Sequence, residues 1–517
     1  MASLRFLKGL KPAAAAAVHC GSAHAFSTAA STPKVYKPSF LRRNRGKILA
    51  SLAVIGAAGL GYEVYAARHP QAQLPWDHTK KTIAILGSGW AATSILKDLD
   101  TSEYNVVVVS PRNYFLFTPL LPSCTVGTIE LRSIMQPMRY ITRHKKRQIT
   151  FVESNCTHID PDSKLITVED NSEIVGLVSK QLIPYNYLIV ACGAENATFG
   201  IKGVRENACF LKEVWDARKI RTRLMDCIET AAFPGQSPEE IERLLHMVVV
   251  GGGPTGVEYA AELYDFLHED LKDWYPELAG KIKITLIEAL PHVLPMFSKN
   301  LIDYTEKQFA DQKVEILTNT LVKEVQQKEI TVQNAKKEIE SIPYGLLVWA
   351  TGNTARPAVA DLIKRLPESQ KQRRGLEVDD FLRVKGATDI YCLGDASASK
   401  WAPTAQVASS QGRYLAKYFN NLAEKEKARK LLAATGGDPS TIPDEDPFEY
   451  DHRGTLAYIG SDKAIADLPG NIHVGGALTF YFWRSAYLSK LFSIRNRVLV
   501  AFDWTKKIVF GRDIGRE

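Results

Sequence analysis

Two glycine-rich turns, each lying between an apolar strand-like run and a helix-like run, constrain the fold of this chain most. The first turn follows residues 82–86 and reads Gly87-Ser88-Gly89-Trp90-Ala91-Ala92, and the second follows residues 247–250 and reads Gly251-Gly252-Gly253-Pro254-Thr255-Gly256. Such a turn frees backbone N–H groups at a helix N-terminus, where they hold a pyrophosphate. One turn alone is a weak signal, but strand and helix supply the context that it requires. The pair predicts an α/β fold with two Rossmann-like dinucleotide-binding domains.

The acid that usually follows the second strand of such a domain is present in one half only. Glu288 ends the run 283–287, where its carboxylate would accept ribose hydroxyls and repel a 2′-phosphate. This favours NADH over NADPH at the second turn. Ser110-Pro111-Arg112 stands at the equivalent place after residues 106–109, so the ribose at the first turn must be held in another way. The duplicated domains predict FAD in one and NADH in the other.

Three further apolar runs end in small-residue turns. Ala191-Cys192-Gly193 follows residues 187–190, and Ala350-Thr351-Gly352-Asn353 follows 346–349. Small residues let the backbone approach a cofactor closely. Gly394-Asp395 follows 389–393, and an Asp there can accept from ribityl hydroxyls of a flavin. We therefore predict an FAD-binding domain in two parts, 82–240 and 352–447, around an NADH-binding domain at 241–351, with a C-terminal region at 448–517.

The positive charge of the chain is concentrated at its N-terminus. The formal net charge is +8, yet Met1–Lys47 contain nine Lys or Arg residues and no acid, so the remainder is close to neutral. A nucleic-acid-binding protein would carry its positive charge on the folded body, which argues against that class. Residues 1–32 are also rich in Ala and Ser, a composition typical of a mitochondrial presequence. A disordered basic tail is the alternative.

An apolar segment of about twenty residues, 48–67, follows this leader. Its length matches the core of a bilayer, so we predict a transmembrane helix within 45–67, followed by a polar linker at 68–81. A buried helix or a continuation of the presequence is the alternative. More basic residues precede the span than follow it. This predicts an N-terminus in the matrix and a catalytic domain facing the intermembrane space.

Neither the cysteines nor the acidic loop suggests a further redox or metal site. The seven cysteines lack the close spacing of a redox dithiol or a zinc cluster, so buried, inert thiols are expected. Residues 444–454 lack the spacing of an EF-hand, so neither calcium nor another metal is expected. Residues 421–447 read as a charged helix and a surface insertion.

From about Lys80 to the C-terminus the chain resembles the type II, or alternative, NADH:ubiquinone oxidoreductases of mitochondria, and most of all the fungal external type. The segments that carry the resemblance are LGSGWAA at 86–92, SPRNYFLFTPLLPS at 110–123, GGGPTGVE at 251–258, TAQVA at 404–408 and FYFWRSAYLSKLFS at 480–493. The resemblance implies a two-domain flavoprotein reductase fold with non-covalent FAD. It also implies electron transfer from NADH to ubiquinone without proton pumping, in the respiratory chain at the inner membrane.

The resemblance also assigns roles to individual residues. Thr118, Pro119 and Leu120 belong to a segment expected against the isoalloxazine ring, and the SPRNYF segment serves where the ribose acid is absent. Glu258 corresponds to the family glutamate near the nicotinamide, a role compatible with that of a first-turn helix carboxylate. Ala405, which we also assign to FAD, opens the quinone signature A-Q-x-A-x-Q.

The quinone signature departs from the family pattern at one position. Gln406 matches its first glutamine, whereas Ser410 replaces the second. Gln411 is a possible substitute, although on a helix it would point about 100° away. Gln406, Ser410 and Gln411 are therefore the expected quinone contacts, and Gln406 with Glu258 the expected catalytic residues.

The C-terminal segment alternates large apolar residues with basic ones. Between Thr479 and Trp504 this spacing is typical of a helix lying in a membrane interface, while packing on the core or a dimer contact is the alternative. The resemblance favours a membrane anchor, with Lys506, Lys507 and Arg512 adding attraction to anionic lipid. A homodimer through this region is suggested by the resemblance alone.

Two other classes of flavoprotein remain as rival hypotheses. Disulfide reductases and sulfide:quinone reductases share the two-nucleotide fold, but they need paired cysteines at the flavin, and the cysteine spacing argues against them. A non-catalytic, NAD-sensing protein of the apoptosis-inducing-factor type is the alternative from outside the enzymes. The TAQVA segment and the aromatic tail argue against it.

Overall fold

The computed structural model describes residues 45–435, 438, 440 and 445–515. The predicted presequence at 1–32 lies outside the described residues. Helix α1 (Arg45–Arg68) covers the predicted membrane span, and the chain divides into two units at Gly61 and Tyr62. In the part of the chain that the structure describes, no helix has both the length and the apolar character needed to cross a bilayer.

The strands of the described residues follow one another in this order: β1 (Thr82–Leu86), β2 (Asn105–Ser110), β3 (Tyr114–Leu116), β4 (Met135–Pro137), β5 (Ile149–Glu153), β6 (Asn155–Asp160), β7 (Leu165–Glu169), β8 (Lys180–Pro184), β9 (Tyr187–Val190), β10 (Ala194–Asn196), β11 (Cys209–Phe210), β12 (His246–Val250), β13 (Lys283–Ile287), β14 (Glu315–Leu317), β15 (Leu321–Val325), β16 (Glu329–Gln333), β17 (Ile339–Pro343), β18 (Leu346–Trp349), β19 (Asn353–Ala355), β20 (Ile390–Cys392), β21 (Thr455–Tyr458), β22 (Ala464–Leu468) and β23 (Ile472–Gly476). Every apolar run assigned above to a nucleotide-binding domain is confirmed as a strand.

The α-helices after α1 are α2 (Trp90–Asp98), α3 (Leu121–Cys124), α4 (Met138–Thr142), α5 (Val204–Asn207), α6 (Val214–Ala232), α7 (Pro238–Leu244), α8 (Pro254–Phe266), α9 (Lys272–Trp274), α10 (Lys299–Asp311), α11 (Pro357–Arg365), α12 (Ala405–Ala434), α13 (Ala477–Lys490) and α14 (Ile494–Phe510). Both glycine turns lead directly into a helix, α2 and α8. This is the arrangement that the sequence predicted for nucleotide-binding turns.

Two parallel five-stranded sheets form the frame of the molecule. The first has the order β20-β9-β1-β2-β5, and the second has the order β11-β18-β12-β13-β14. In each sheet the strand before the glycine turn lies in the centre, and its central position explains why these strands are apolar on both faces. The two sheets confirm the predicted α/β class with two Rossmann-like domains.

The second sheet includes a strand that precedes residue 241, the predicted start of the NADH-binding domain. Strand β11 pairs in parallel with β18, through Cys209–Val348 and Phe210–Trp349, so it belongs to the NADH-type sheet. A two-residue strand is too short to leave a periodic signal in the sequence. The short antiparallel pair β10–β19 lies where the chain crosses between the two sheets.

The C-terminal region is built from a small sheet and two helices. Strands β21, β22 and β23 form an antiparallel sheet, and α13 and α14 follow it. The segment from Thr479 to Trp504 is therefore two helices, because the chain leaves the helical conformation at Leu491. Strand β21 contacts α8, and this contact brings the C-terminal region to the NADH-type domain.

Candidate active site

The first glycine turn is held tightly against the neighbouring strand. Gly87 has a φ of +117°, and a Cβ atom there would lie 2.3 Å from the carbonyl oxygen of Ala191. Only glycine fits this position, because both the backbone conformation and the close approach exclude a side chain. Gly89 caps α2 and has open space around its Cα. The N-terminus of α2 is therefore free to receive a phosphate.

The second turn repeats this geometry. Gly251 has a φ of +115°, and a Cβ atom on Gly256 would lie 1.9 Å from the carbonyl oxygen of Gly251. The Glu288 carboxylate accepts hydrogen bonds from the backbone N–H groups of Gly252 and, at 2.8 Å, Leu290. The predicted ribose acid thus stands beside the turn and is fixed in place by backbone donors.

One cavity of about 1020 Å³ joins both turns to the predicted quinone residues. Its volume is at the upper end of the range for small-molecule sites, as expected for a pocket that takes more than one ligand. The predicted site residues that line it are Gly89, Trp90, Ala91, Arg112, Thr118, Pro119, Ala191, Cys192, Gly193, Pro254, Thr255, Glu258, Ala350, Thr351, Gly352, Asn353, Gly394, Asp395, Ala405 and Gln406.

The other predicted site residues do not line the cavity. They are Gly87, Ser88, Ala92, Ser110, Pro111, Leu120, Gly251, Gly252, Gly253, Gly256, Glu288, Ser410 and Gln411. Several of them shape the turns from behind. The Ser110 hydroxyl donates to Ser88 at 3.0 Å and accepts from the backbone N–H of Arg112 at 3.2 Å, which ties the end of β2 to the first turn.

A polar cluster lies where the two sheets meet; Arg112 and Asn353 in it were predicted, whereas Glu213, Arg356 and Lys212 were not. Glu213 forms an ion pair with Arg112 and a second one, at 3.2 Å, with Arg356. Arg356 also donates through Nε to the carbonyl oxygen of Cys192 at 2.8 Å. Lys212 donates to the Asn353 side chain at 2.5 Å, and burial lowers the pKa of its ammonium group. This cluster ties the turns of both domains together.

No local pattern marks that cluster in the sequence. Glu213 precedes α6 and its side chain takes part in a capping box, so it reads as an ordinary helix cap. Its two arginine partners lie 101 and 143 residues away along the chain. Pairings over such separations are decided by tertiary packing.

Glu258 lies just after the first turn of α8, not within it as the sequence suggested, and is buried at the wall of the cavity. Only 7% of the residue is exposed, and the backbone N–H of Tyr458 donates to its Oε1 at 3.2 Å. Burial raises the pKa of this carboxyl to about 8. Glu258 is therefore mostly protonated at neutral pH and can donate as well as accept a hydrogen bond.

Gln406 faces the same cavity from the first turn of α12. Its Oε1 accepts from the Tyr450 hydroxyl and from the backbone N–H of Arg453 at 3.3 Å, while its Nε2 donates to the carbonyl oxygen of Gly454 at 3.4 Å. These contacts orient the amide from the C-terminal region. They support the assignment of Gln406 as a polar group of the site.

The two other predicted quinone contacts lie elsewhere. Ser410 accepts from Arg413 at 3.1 Å on the surface of α12. Gln411 is fully buried, and its Oε1 accepts from the backbone N–H of Gly394 at 2.7 Å. Gln411 does not line the cavity, because its amide holds the Gly394 turn, so its substitution for the missing glutamine stays a prediction.

The basic residues at the C-terminus are occupied by ion pairs. Lys506 pairs with Glu130 at 2.8 Å, and Lys507 pairs with Glu269 at 2.8 Å. Arg512 is buried and pairs with Asp270 at 2.7 Å. These cations were expected to attract anionic lipid. The structure uses them instead to dock α14 and the following residues on the body of the protein.

The aromatic residues of the two C-terminal helices divide between the core and the surface. Phe480, Trp483 and Trp504 are buried, with the Phe480 and Trp483 rings stacked 6.1 Å apart. Large apolar side chains on the other faces are exposed, namely Leu478, Tyr481, Phe482, Val498, Phe502, Ile508, Val509 and Phe510. The buried face shows packing on the core, whereas a membrane contact of the exposed face stays a prediction.

The six cysteines of the described residues are all free. Cys192 lines the cavity, and burial raises the pKa of its thiol, which keeps it protonated and poorly nucleophilic. A disulfide reductase mechanism needs a cysteine pair at the flavin, and none of these six forms one in the structure.

Most of the chain matches two known family models. The family model of pyridine nucleotide-disulphide oxidoreductases matches residues 81–412, and that of the NDH2 C-terminal domain matches 452–513. A mitochondrial external alternative NADH-ubiquinone oxidoreductase of Yarrowia lipolytica is 51% identical, over 91% of this chain and 86% of the relative. An external NADH-ubiquinone oxidoreductase 2 of Saccharomyces cerevisiae, also mitochondrial, is 45% identical, over 93% and 91% of the two chains.

Solved structures agree with these relatives. NDH2 of Plasmodium falciparum, in complex with NADH, superposes with a TM-score of 0.76 and 31% identity, covering 84% of this chain and all of the other. A sulfide:quinone oxidoreductase of Aquifex aeolicus reaches a TM-score of 0.60 at 18% identity, with 84% and 96% covered, and this likeness concerns the fold alone.

Proposed function

The chain belongs to the pyridine nucleotide-disulphide oxidoreductase family, within its NADH–ubiquinone oxidoreductases, and we propose that it oxidises NADH and reduces ubiquinone through FAD. The observation that carries this proposal is the single cavity that joins both nucleotide turns, Glu258 and Gln406. The reaction converts NADH, one proton and ubiquinone into NAD⁺ and ubiquinol. No step of it moves a proton across a membrane.

The residues at the first turn fit a non-covalent FAD. Gly89 leaves open space at the N-terminus of α2, where the free N–H groups suit a pyrophosphate. Asp395 lines the cavity at the end of β20, where it would accept hydrogen bonds from ribityl hydroxyls. Trp90 donates to Thr118 at 3.0 Å, which fixes the segment expected beside the flavin ring. FAD, once bound, supplies the hydride acceptance and the two-electron transfer that side chains cannot.

The second turn and the surrounding residues would bind NADH and orient it. Glu288 would accept the adenosine ribose hydroxyls, and the N-terminus of α8 would face the pyrophosphate. Glu258, kept neutral by burial, would stand at the nicotinamide end with a proton to share. Gln406 would contact a quinone carbonyl, since its amide faces the cavity and is fixed by Tyr450. The chain thus contributes position and electrostatics.

We also propose that the enzyme works at the mitochondrial inner membrane, with its catalytic domain facing the intermembrane space. The acid-free basic leader and the mitochondrial relatives support the compartment. The exposed apolar side chains of α13 and α14, such as Phe502 and Phe510, support a lipid contact. The same surface would also suit a homodimer.

One experiment tests both the activity and the orientation. NADH is added to intact mitochondria that carry this protein, complex I is inhibited, and oxygen uptake is followed. Because the inner membrane excludes NADH, uptake that depends on this protein supports the proposal in full. Uptake only after the membrane is opened keeps the activity and reverses the orientation. No uptake in either state, with FAD bound, refutes the reductase and favours a non-catalytic flavoprotein.

A further inference from the structure

We propose that Arg453, Lys490 and Arg497 form a binding site for the phosphate of an anionic membrane phospholipid, at the quinone end of the cavity. The inference rests on the proposed function, because it takes the C-terminal helices to lie at a lipid surface. All three side chains line the cavity that also contains Gln406. They come from the loop before β21, the last turn of α13 and the first turn of α14.

Backbone contacts hold Arg497 beside Lys490 and hold Arg453 at Gln406, and Arg453 is near enough to Lys490 for their charges to interact. The Arg497 guanidinium donates to the carbonyl oxygens of Ser489, at 3.1 Å, and Leu491, at 3.4 Å, which flank Lys490 in the chain. The backbone N–H of Arg453 donates to Gln406, so this arginine is anchored at the site. Three cations are therefore brought to one edge of the cavity by contacts that leave charge on each of them uncompensated.

The cluster lacks an acidic partner. Among the described residues, no carboxylate lies within ion-pair distance of Arg453, Lys490 or Arg497, whereas Lys506, Lys507 and Arg512 each have one. Burial and the neighbouring charge of Arg453 lower the pKa of Lys490. Like charges held together in this way repel one another, and a bound anion would relieve the repulsion.

The surroundings favour a phosphate that carries acyl chains over a free one. Tyr481 and Phe482 of α13 and Val498 and Phe502 of α14 are exposed by 61%, 46%, 52% and 63%. Exposed apolar side chains on the same two helices as Lys490 and Arg497 match the two parts of a phospholipid, a charged headgroup and an apolar tail. A lipid held there would lie where the apolar tail of a quinone enters the cavity.

The test uses the full FAD-loaded chain in neutral detergent and short-chain lipids that remain soluble. Dihexanoyl phosphatidylglycerol is titrated against the wild type and the variants Arg453→Gln and Lys490→Gln, with intrinsic tryptophan fluorescence as the readout. Arg495→Gln is the matched control, since Arg495 is an exposed cation on α14 that does not line the cavity. We expect the first two variants to weaken binding about fivefold each, and the control to change it less than twofold.

Two further titrations separate lipid from free phosphate and from a zwitterionic headgroup. Inorganic phosphate and dihexanoyl phosphatidylcholine should bind at least tenfold more weakly than the anionic lipid. Inorganic phosphate that binds as tightly as the lipid would overturn the assignment, and so would an equal loss in the Arg495→Gln control. Turnover of NADH with a short-tailed quinone is measured on the same sample. Turnover without selective lipid binding defeats only this inference, whereas lipid binding without turnover defeats the proposed function.

Discussion

Replacing Glu258 by glutamine should stabilise the protein at alkaline pH and hardly affect it at acidic pH. The carboxyl is buried, and its pKa is raised from 4.5 to about 8. In the unfolded chain it ionises near its usual pKa, while in the folded protein it stays protonated. The unfolded state therefore binds fewer protons between about pH 4.5 and pH 8, and stability falls as pH rises through that window.

The size of the effect follows from the displacement of the pKa. Each unit corresponds to about 1.4 kcal/mol, so the full cost above pH 8 is on the order of 4–5 kcal/mol. Glutamine has nearly the same shape, carries no charge and keeps an oxygen for the Tyr458 N–H. The substitution removes the cost, and for a chain of this size the thermal midpoint should rise by roughly 5–10 °C at pH 8.5.

The assay is thermal unfolding of the FAD-loaded protein, followed by circular dichroism at pH 5 and pH 8.5 with one fixed scan rate. Glu368→Gln, at an exposed position away from the cavity, serves as the control and should not change the midpoint at either pH. The reasoning is refuted if Glu258→Gln shifts the midpoint equally at both pH values, or if it lowers the midpoint at pH 8.5.

Four further substitutions, the first with Gly253→Ala as its control, test other parts of the site. Gly256→Ala should lower the free energy of unfolding by more than about 3 kcal/mol, because the added methyl would meet a carbonyl oxygen at 1.9 Å. Gly253 has open space around it, so Gly253→Ala should leave the thermal midpoint within about 2 °C of the wild type. Glu288→Gln should reduce the preference for NADH over NADPH about tenfold, because it removes the repulsion of the 2′-phosphate by the carboxylate. The preference is measured as the ratio of kcat/KM for NADH to kcat/KM for NADPH. An unchanged ratio would contradict the role of Glu288 in cofactor choice. Glu213→Gln should lower the free energy of unfolding by about 2–3 kcal/mol and release FAD faster on dilution, because it weakens two partly buried ion pairs. Unaltered FAD retention would count against this role. Gln406→Ala should raise the quinone KM about tenfold in steady-state kinetics and leave the NADH KM unchanged, and a shift in both would argue for a general structural role.

Much of the nucleotide-binding frame was predictable from the sequence, because its signals are local. The turns at Gly87 and Gly251 need residues without a side chain, and the strand and helix on either side of each are short-range patterns. Glu288 was recognised by its place at the end of a strand, and in the structure it lies beside its turn. Likewise, Glu258 and Gln406 follow recognisable motifs, and both face the cavity.

Local sequence patterns did not identify the residues that join the two domains. Glu213 reads as a helix cap, yet its carboxylate pairs with arginines from two distant elements. Gln411 looked like a candidate ligand, but the rotation of α12 turns it inward to Gly394. In both cases the local pattern was compatible with more than one partner, and the packing of the folded chain determines which partner is contacted.

By itself, the sequence determined the α/β class, the two nucleotide turns and the basic, acid-free composition of residues 1–44, because these depend on backbone conformation, residue periodicity and composition over short stretches. Only the tertiary structure decided which C-terminal aromatic residues are buried, which cations are paired and which remain free beside the cavity. Arg512 and Lys490 are both basic residues of the same region, yet one is bonded to Asp270 and the other lacks a carboxylate partner in the described chain. That difference arises because an ion pair depends on the position of both groups in space, and residues far apart in the chain acquire such positions only when the domains pack.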